Sequence, residues 1–396
     1  MTAILDIEQS DDLLRYLHEH GHLEPGEVPA IVPLSGGVSN RTVLVERRDG
    51  TAFVVKQALE KLRVEADWHS DPNRSHREAL GLTWLARLGP PGTITPLLFE
   101  DTDQHLLAMQ AVPRPHENWK SRLLAGSLDL SHVKQFGQLL GTIHRRSREQ
   151  RAELGPVFED RSYFESLRIE PYYRYTAERN RETFDFFANL ISETAATREA
   201  VVHGDYSPKN ILIHQNTLVL LDHEVIHFGD PAFDIGFSLT HLLSKAHYLD
   251  SSRERPPRTS RAQGDSEPTP TPPRRGTDRA PLPGGESATG ADDEAPLLGG
   301  AGGGFMERFL EGARVYWKTY QLAAGELAFT ADFEPRAVRH TLGCLLARVD
   351  GRSPLEYFTT VERNRQRAVV LPLLKSPPDR VLTLIERFGQ GLQTER

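Results

Sequence analysis

Residues 201–213 read VVHGDYSPKNILI, and residues 218–224 read LVLLDHE. The apolar runs around the polar residues predict two buried strands and a short hairpin. His203 and Asp205 would follow the first strand, and Asn210 would begin the second. The hairpin would then present Asp222 and Glu224. Carboxylates gathered at the ends of buried strands are costly unless a divalent cation or a substrate hydroxyl lies among them, so this stretch predicts a catalytic site.

The spacing His-x-Asp-x-x-x-x-Asn, with an Asp on the next hairpin, resembles the catalytic loop of the protein-kinase class. The His-Gly-Asp and Asp-x-Glu forms are similar to those of kinase-like small-molecule phosphotransferases, which include aminoglycoside phosphotransferases, choline and ethanolamine kinases, and methylthioribose kinase. The resemblance implies Asp205 as the catalytic base and Asn210 and Asp222 as Mg²⁺ ligands. It implies that Glu224 binds the metal through water or supports it from one contact further out. The alternative is a strand-turn-strand that meets all these spacings by chance.

Length and composition are compatible with this family. A chain of 396 residues is long enough for two lobes, and its formal charge of −8 gives little electrostatic support for a nucleic-acid partner. The single cysteine, Cys344, fits a reducing compartment and is expected to be a buried apolar residue. The first residues lack the basic start and apolar run of a signal peptide, and no apolar stretch is long enough to span a membrane, so we expect a cytoplasmic protein. The oligomeric state is not readable.

The resemblance implies an α+β fold with two lobes, as in protein kinases. Residues 1–112 would form a small antiparallel β lobe that binds ATP, and residues 113–396 a mostly helical lobe with the catalytic loop and the acceptor site. Residues 251–304 are rich in Pro, Gly, Ser and Arg and contain no aromatic residue, which predicts a disordered insertion in the helical lobe. The helices before and after it would pack together as a hairpin.

The N-terminal lobe contains the candidate ATP-binding residues. A glycine turn with Gly36, Gly37 and Ser39 resembles a nucleotide loop, where small residues let the backbone approach phosphates. Alone, the turn is an ordinary hairpin signal. Lys56 ends an apolar strand and would hold the α- and β-phosphates, and Glu78 on the following helix is its candidate partner. Taken singly, an edge-strand lysine and a solvated helix charge are the more common interpretations of Lys56 and Glu78.

The hinge between the lobes and the acceptor pocket have weaker signals. The resemblance implies that the chain crosses between the lobes here, and that the backbone of Gln110 and Val112 would hydrogen-bond the adenine edge. Arg348 and Asp350 lie at a predicted helix end and would hold the acceptor, although an ordinary C-terminal arginine is an equal reading. Tyr172 lies in an aromatic and charged stretch that either lines the acceptor pocket or packs under a helix end.

Two aspartates beyond the hairpin have predicted structural roles. Asp230 would cap the following helix, and the resemblance implies that Asp234 supports the catalytic loop through hydrogen bonds. Residues 176–197 are predicted to form one long helix.

A substrate with a quaternary ammonium group would need a box of aromatic rings around that group. The rings available for such a box are Tyr172, Tyr173, Trp317 and Tyr357.

These features predict an ATP- and Mg²⁺-dependent phosphotransferase with a small hydroxyl acceptor. The Asp-x-Glu form favours a metabolite alcohol of the choline or thioribose type over an aminoglycoside. The competing class is a catalytically silent, nucleotide-binding pseudokinase or scaffold, which would be expected to have lost Lys56, Asp205, Asn210 or Asp222. A protein-serine kinase lacks support because no activation segment with an Ala-Pro-Glu-like end follows Asp222.

Overall fold

The computed structural model describes residues 5–34, 39–63, 68–252 and 304–395. The N-terminal lobe consists of an antiparallel sheet in the order β1-β2-β3-β5-β4 and two helices. Buried residues alternate with partly exposed ones along the central strand, because one face of the sheet covers the lobe's core. The elements of the lobe are α1 (Ser10–Glu19), β1 (Ala30–Pro33), β2 (Asn40–Glu46), β3 (Ala52–Ala58), α2 (Arg74–Leu88), β4 (Leu97–Asp101) and β5 (Leu106–Gln110).

The second lobe is mostly helical and carries two small sheets, β10-β7 and β6-β8-β9. A π-helical segment, Glu165–Arg174, follows α6, and a 3₁₀ turn, Pro208–Asn210, precedes β8. The first half of the lobe contains β6 (His116–Asn118), α3 (Trp119–Leu124), α4 (Leu130–Glu149), α5 (Arg151–Val157), α6 (Ser162–Phe164), α7 (Tyr175–Arg179), α8 (Phe184–Ala196), β7 (Ala200–Val202), β8 (Ile211–His214), β9 (Thr217–Leu220) and β10 (His227–Gly229). The second half contains α9 (Ala232–Ser252), α10 (Phe305–Ala324), α11 (Phe333–Asp350), α12 (Thr360–Lys375) and α13 (Val381–Thr394).

The core of the second lobe forms where α4, α9, α10 and α11 pack together. Two glycines let these helices approach closely. A Cβ on Gly137 of α4 would lie 2.7 Å from the Tyr316 carbonyl oxygen, and one on Gly236 of α9 would lie 2.4 Å from the His340 Cβ. The contact between α9 and α10 confirms the predicted helical hairpin.

The α+β fold class is as predicted, but two details of the second lobe differ. The prediction of one helix over 176–197 is wrong, because the backbone of Asn180 is not helical (φ −128°, ψ 76°) and separates α7 from α8. Helix α9 continues to Ser252, so the first two residues of the predicted insertion are helical. Most of that insertion, residues 253–303, lies outside the described residues. The lobe boundary at 112 stays a prediction.

Within the described ranges, none of the helices has the length and apolar character needed to cross a bilayer.

Candidate active site

A cavity of about 940 Å³ lies between the two lobes. Its walls combine apolar side chains of the sheet with polar groups from the catalytic loop and the hairpin, as is usual for ligand pockets. Six of the residues predicted to bind nucleotide or metal line it: Ser39, Lys56, Gln110, Val112, Asn210 and Asp222. Gly36 and Gly37, also predicted here, lie outside the described residues.

Lys56 is one of the cations that line this cavity, and it bonds carboxylates from both lobes. Its Nζ donates to Glu78 Oε1 at 2.6 Å and to Asp222 Oδ1 at 2.9 Å. Burial opposes the charge, but Asp222 and Glu78 together raise the pKa of Lys56. Burial raises the pKa of Glu78 to about 7 in spite of the neighbouring ammonium group. The predicted Lys56–Glu78 pair is therefore confirmed as a contact, and the lysine stays protonated.

Asp222 follows β9 and has an unusual backbone. Its φ is 68°, the left-handed region that side-chain-bearing residues rarely adopt, although aspartate tolerates it better than most. Burial would raise the pKa of Asp222, but the ammonium groups of Lys56 and Lys209 hold it well below its ordinary value. The carboxylate is thus ionised at the cavity wall, in the state that a metal ligand requires.

Glu224 bridges the hairpin to the N-terminal lobe. Its Oε2 accepts hydrogen bonds from Asn40 Nδ2 at 3.0 Å and from Arg74 Nε at 3.1 Å. Arg74 is fully buried and also donates to the Ser39 carbonyl oxygen. Glu224 therefore connects the hairpin to Ser39 and Asn40, which directly follow the glycine turn, in one case through Arg74.

The catalytic loop places Asp205 beside Asn210. The Asn210 amide donates to Asp205 Oδ2 at 2.9 Å and to the Asp205 carbonyl at 3.0 Å. A second donor on the same oxygen is Arg168 Nη2, at 3.0 Å. Arg168 is buried, and its Nε also donates to the Gly204 carbonyl at 2.6 Å. Burial opposes the charge on Arg168, but Asp205 raises the pKa of its guanidinium.

Asp234, at the start of α9, holds the loop through hydrogen bonds to its backbone. Asp234 Oδ2 accepts from the His203 N–H at 2.7 Å, and Oδ1 accepts from the Gly204 N–H at 2.8 Å. His144 bonds the same carboxylate at 3.2 Å. Gly204 has a φ of +77°, so the turn favours a residue without Cβ. The predicted support role of Asp234 is confirmed, as is the cap from Asp230, which accepts from the Ala232 N–H.

The three residues predicted to hold the acceptor separate into two groups. Arg348 Nη1 donates to Tyr172 Oη at 2.9 Å, so these two lie together. Asp350 forms an ion pair with Arg367 instead. Residues two apart on a helix point in different directions, which explains why Arg348 and Asp350 do not share a site.

The four rings considered for an aromatic box have different neighbours. Trp317 stacks on Tyr320 and Phe333 in the helical core. Tyr173 directs its hydroxyl to His340, and Tyr172 carries guanidinium groups on its ring. Tyr357 has the Lys245 ammonium group over its ring. Two of the four rings thus already lie beside cationic side chains of this chain.

The donors at the cavity suit Mg²⁺ bound together with nucleotide phosphates. No group of three or more His, Cys, Asp or Glu side chains able to hold a metal lies among residues 5–34, 39–63, 68–252 and 304–395. Asn210 and Asp222 offer one amide and one carboxylate. Mg²⁺ commonly takes one or two protein oxygens and completes its shell with water and phosphate.

Arg168, Arg74 and Asn40 are site residues that the sequence patterns did not single out. Arg168 lies in the charged aromatic stretch around Tyr172, where its spacing does not distinguish it from Arg174. Arg74 begins a helix and reads as a solvated charge. Asn40 directly follows the glycine turn, and this proximity was the one available signal.

A family model described as a phosphotransferase enzyme family matches residues 30–274. The relatives include the methylthioribose kinase of Pectobacterium carotovorum subsp. carotovorum (strain PC1), 25% identical over 59% of this chain and 65% of its own length. Methylthioribose kinase 2 of Oryza sativa subsp. japonica is also 25% identical, over 54% of this chain and 57% of its own length. The chain therefore spans less than two thirds of the length of the curated relatives that it matches.

Two solved structures show the same fold at low identity. One is the amicoumacin kinase hAmiN in complex with AMP-PNP, Ca²⁺ and Ami, with a TM-score of 0.50, 13% identity, and coverage of 95% of this chain and 97% of the other. The other is a choline/ethanolamine kinase family protein from Mesorhizobium loti, with a TM-score of 0.50, 10% identity, and coverage of 96% and 99%. The predicted kinase-like fold is thereby confirmed.

Proposed function

Because this chain belongs to the phosphotransferase enzyme family, we propose that it is an ATP-dependent kinase that phosphorylates a hydroxyl of a small molecule. The observation that carries the proposal is the bond from Lys56 Nζ to Asp222 Oδ1 at 2.9 Å, at the wall of a cavity that Asn210 also lines. A cation for phosphates and an ionised metal ligand thus meet beside the loop that carries a candidate base.

ATP would lie in the cavity between the lobes. Its adenine edge would meet the backbone of Gln110 and Val112, and its phosphates would lie under Ser39 and the glycine turn. Lys56, oriented by Glu78, would hold the α- and β-phosphates. Positioning and charge neutralisation supply most of the catalysis in phosphoryl transfer, so these contacts account for the main demands of the reaction.

Asn210 and Asp222 would hold Mg²⁺, which neutralises phosphate charge when it is bound. The Asn210 side chain uses its nitrogen to bond Asp205, which leaves its oxygen for a cation. Lys56 bonds Oδ1 of Asp222, so Oδ2 would be the oxygen that binds the metal. Glu224 would support the metal site without binding the metal directly, because its Oε2 already accepts hydrogen bonds from Asn40 and Arg74.

Asp205 would act as the base. The acceptor oxygen bonds to the γ-phosphorus while the bond from that phosphorus to the β–γ bridging oxygen breaks, releasing ADP. The acceptor proton passes to Asp205. Arg168 and Asn210 both bind Oδ2, so Oδ1 is the oxygen that receives the proton.

The test is the substitution Asp205→Asn in the full chain. ADP release with MgATP is measured against a panel of small alcohols, sugars and aminoglycosides. We expect a loss of about 10²–10⁴-fold with the best acceptor, and unchanged ATP affinity by calorimetry. The exposed Asp379→Asn is the matched control. Equal turnover by Asp205→Asn and wild type contradicts the assignment. ATP binding without transfer to any acceptor favours the pseudokinase alternative.

A further inference from the structure

A group of buried cations continues from Asp205 into the helical lobe. Arg168 lies on Asp205, and its guanidinium carbon is 5.8 Å from the Tyr172 ring centre and 5.7 Å from that of Phe237. The guanidinium of Arg348 lies 5.7 Å from the same Tyr172 ring. Tyr172 therefore lies between two arginines, and one of them touches the proposed base.

One face of α9 extends this group. Phe237 contacts His241 with ring centres 5.1 Å apart, and Lys245 follows one turn later. The Lys245 Nζ lies 3.4 Å from the His241 carbonyl and 5.6 Å from the Tyr357 ring centre. Eight residues of α-helix span about 12 Å, so this face reaches from the neighbourhood of Arg168 to a distance that a small metabolite covers. Burial, together with the charge of Lys245, lowers the pKa of His241 well below its ordinary value, so His241 is neutral. We call the three cations Arg168, Lys245 and Arg348 the basic cluster.

The basic cluster has too few carboxylates for its charge. Asp205 is paired with Arg168, and Glu356 is paired with Lys120. In the part of the chain that the structure describes, neither Lys245 nor Arg348 forms an ion pair, and Lys245 is 1% exposed. A buried ammonium group without a partner anion is strongly unfavourable, so a protein retains one where a ligand compensates it.

Two further polar atoms in this region have no hydrogen-bond partner in the structure. They are Arg348 Nε and the Tyr357 hydroxyl, and both are buried. Burial, together with the charges of Lys120 and Arg348, lowers the pKa of Lys245 to about 7. Arg348 Nε and the Tyr357 hydroxyl are hydrogen-bond donors without acceptors, and Lys245 is a cation without a partner anion. A bound anion would satisfy all three groups.

We propose that the basic cluster binds an anionic group on the acceptor, so that the phosphorylated molecule is a hydroxy acid or a phosphate monoester. This inference rests on the proposed function, since it identifies the acceptor of that reaction. It excludes the choline type favoured by the Asp-x-Glu form and the polycationic aminoglycosides, because the cluster repels cations. Carboxylate and phosphate share the required charge and hydrogen-bond acceptors.

The first experiment compares acceptors with one skeleton and different charge. Ribose, ribonate and ribose 5-phosphate are assayed with MgATP and the full chain, together with choline and kanamycin. Transfer to ribonate identifies a carboxylate acceptor, and transfer to ribose 5-phosphate a phosphate acceptor. We expect Lys245→Met to raise the KM for that anion at least tenfold, with kcat within threefold and the KM for ATP unchanged. Efficient transfer to ribose, choline or kanamycin in preference to both anions overturns the inference and leaves the proposed function standing.

The second experiment measures anion binding without turnover. With saturating ADP and Mg²⁺, inorganic phosphate and malonate are titrated by calorimetry into wild type, Lys245→Met, Arg348→Gln and the exposed control Lys318→Met. We expect at least one anion to bind wild type and the control, and to bind both cluster variants at least tenfold more weakly. The melting temperature of Lys245→Met should equal or exceed that of wild type, because a buried unpaired charge is removed.

The outcomes separate the two proposals. Absence of anion binding to wild type, or equal binding to Lys245→Met, overturns the anionic acceptor. Anion binding that depends on Lys245, combined with no transfer to any hydroxyl, contradicts the proposed kinase function instead.

Discussion

Replacing Glu78 by glutamine tests whether the carboxylate on α2 orients Lys56 for nucleotide. The side chain keeps its shape and loses only its charge. Glu78 accepts from Lys56 Nζ at 2.6 Å, and Asp222 competes for the same ammonium group at 2.9 Å. In Glu78→Gln the lysine is drawn fully toward Asp222. The same substitution therefore weakens the contact of Lys56 with phosphate and binds Lys56 more tightly to Asp222, the proposed metal ligand.

The size of the effect follows from the lost charged hydrogen bond. Hydrogen bonds to charged groups contribute about 1.5–3 kcal/mol in proteins. Since about 1.4 kcal/mol corresponds to a factor of ten in rate, kcat/KM for ATP should fall by roughly 10- to 150-fold. The fold should persist, because burial raises the pKa of Glu78 to about 7. The folded state binds that proton more tightly than the unfolded chain does, so ionisation costs stability above pH 7 and glutamine removes this cost.

The assay is ADP release at saturating acceptor, from pH 6 to pH 9. Wild-type kcat/KM for ATP should decrease as the pH falls through about 7, because protonated Glu78 resembles glutamine. The variant should lack this step in its profile. Glu100→Gln, which loses a bond to the exposed His76, is the matched control and should behave as wild type. A Glu78→Gln variant within threefold of wild type at pH 8, or with the same pH step, refutes the reasoning.

Three further predictions concern the helical lobe. Asp234→Asn presents one oxygen where two backbone N–H groups donate, so urea unfolding should show a loss of about 1–3 kcal/mol, and a change below 0.5 kcal/mol would contradict it. Gly236→Ala creates a clash with His340 and should lose about 1–3 kcal/mol, whereas Gly155→Ala, with no atom within 4 Å, should gain about 0.4–1 kcal/mol; the same sign for both in thermal unfolding would refute the packing argument. The affinity for the anionic acceptor should fall as the pH rises through about 7, because Lys245 then loses its charge, and a Lys245→Met variant that keeps the same pH dependence in calorimetry would refute this.

The part of the candidate site formed by the loop and the hairpin could be predicted because its residues are close in sequence. The loop and the hairpin lie within 24 residues of each other, so strand signals and turn signals fix their arrangement. The contact between Lys56 and Glu78 is also predictable, because a buried lysine at the end of a strand needs an anion and the next helix supplies a carboxylate. The support role of Asp234 can be predicted because only a short connection joins it to the hairpin.

The remaining part depends on packing between distant segments. Arg168 reaches Asp205 because a π-helical segment turns its side chain under the loop, and the hydrophobic period does not report that geometry. Arg74 is fully buried although it opens a helix, because Glu224 and a backbone carbonyl from elsewhere in the chain surround it. Lys245 sits on an apolar helix whose pattern gives no reason to expect an unpaired cation.

The left-handed backbone of Asp222 has a consequence for how this activity would be lost. Glycine and asparagine accept a φ of 68° most readily, and each differs from aspartate by one base in its codon. The replacements that the main chain tolerates best are therefore within one mutational step, and both remove the carboxylate. A single-base change of this codon to glycine or asparagine would leave a folded protein that keeps its cavity and has lost the proposed phosphoryl-transfer activity. The route from an active kinase to a silent nucleotide-binding protein is unusually short at this residue.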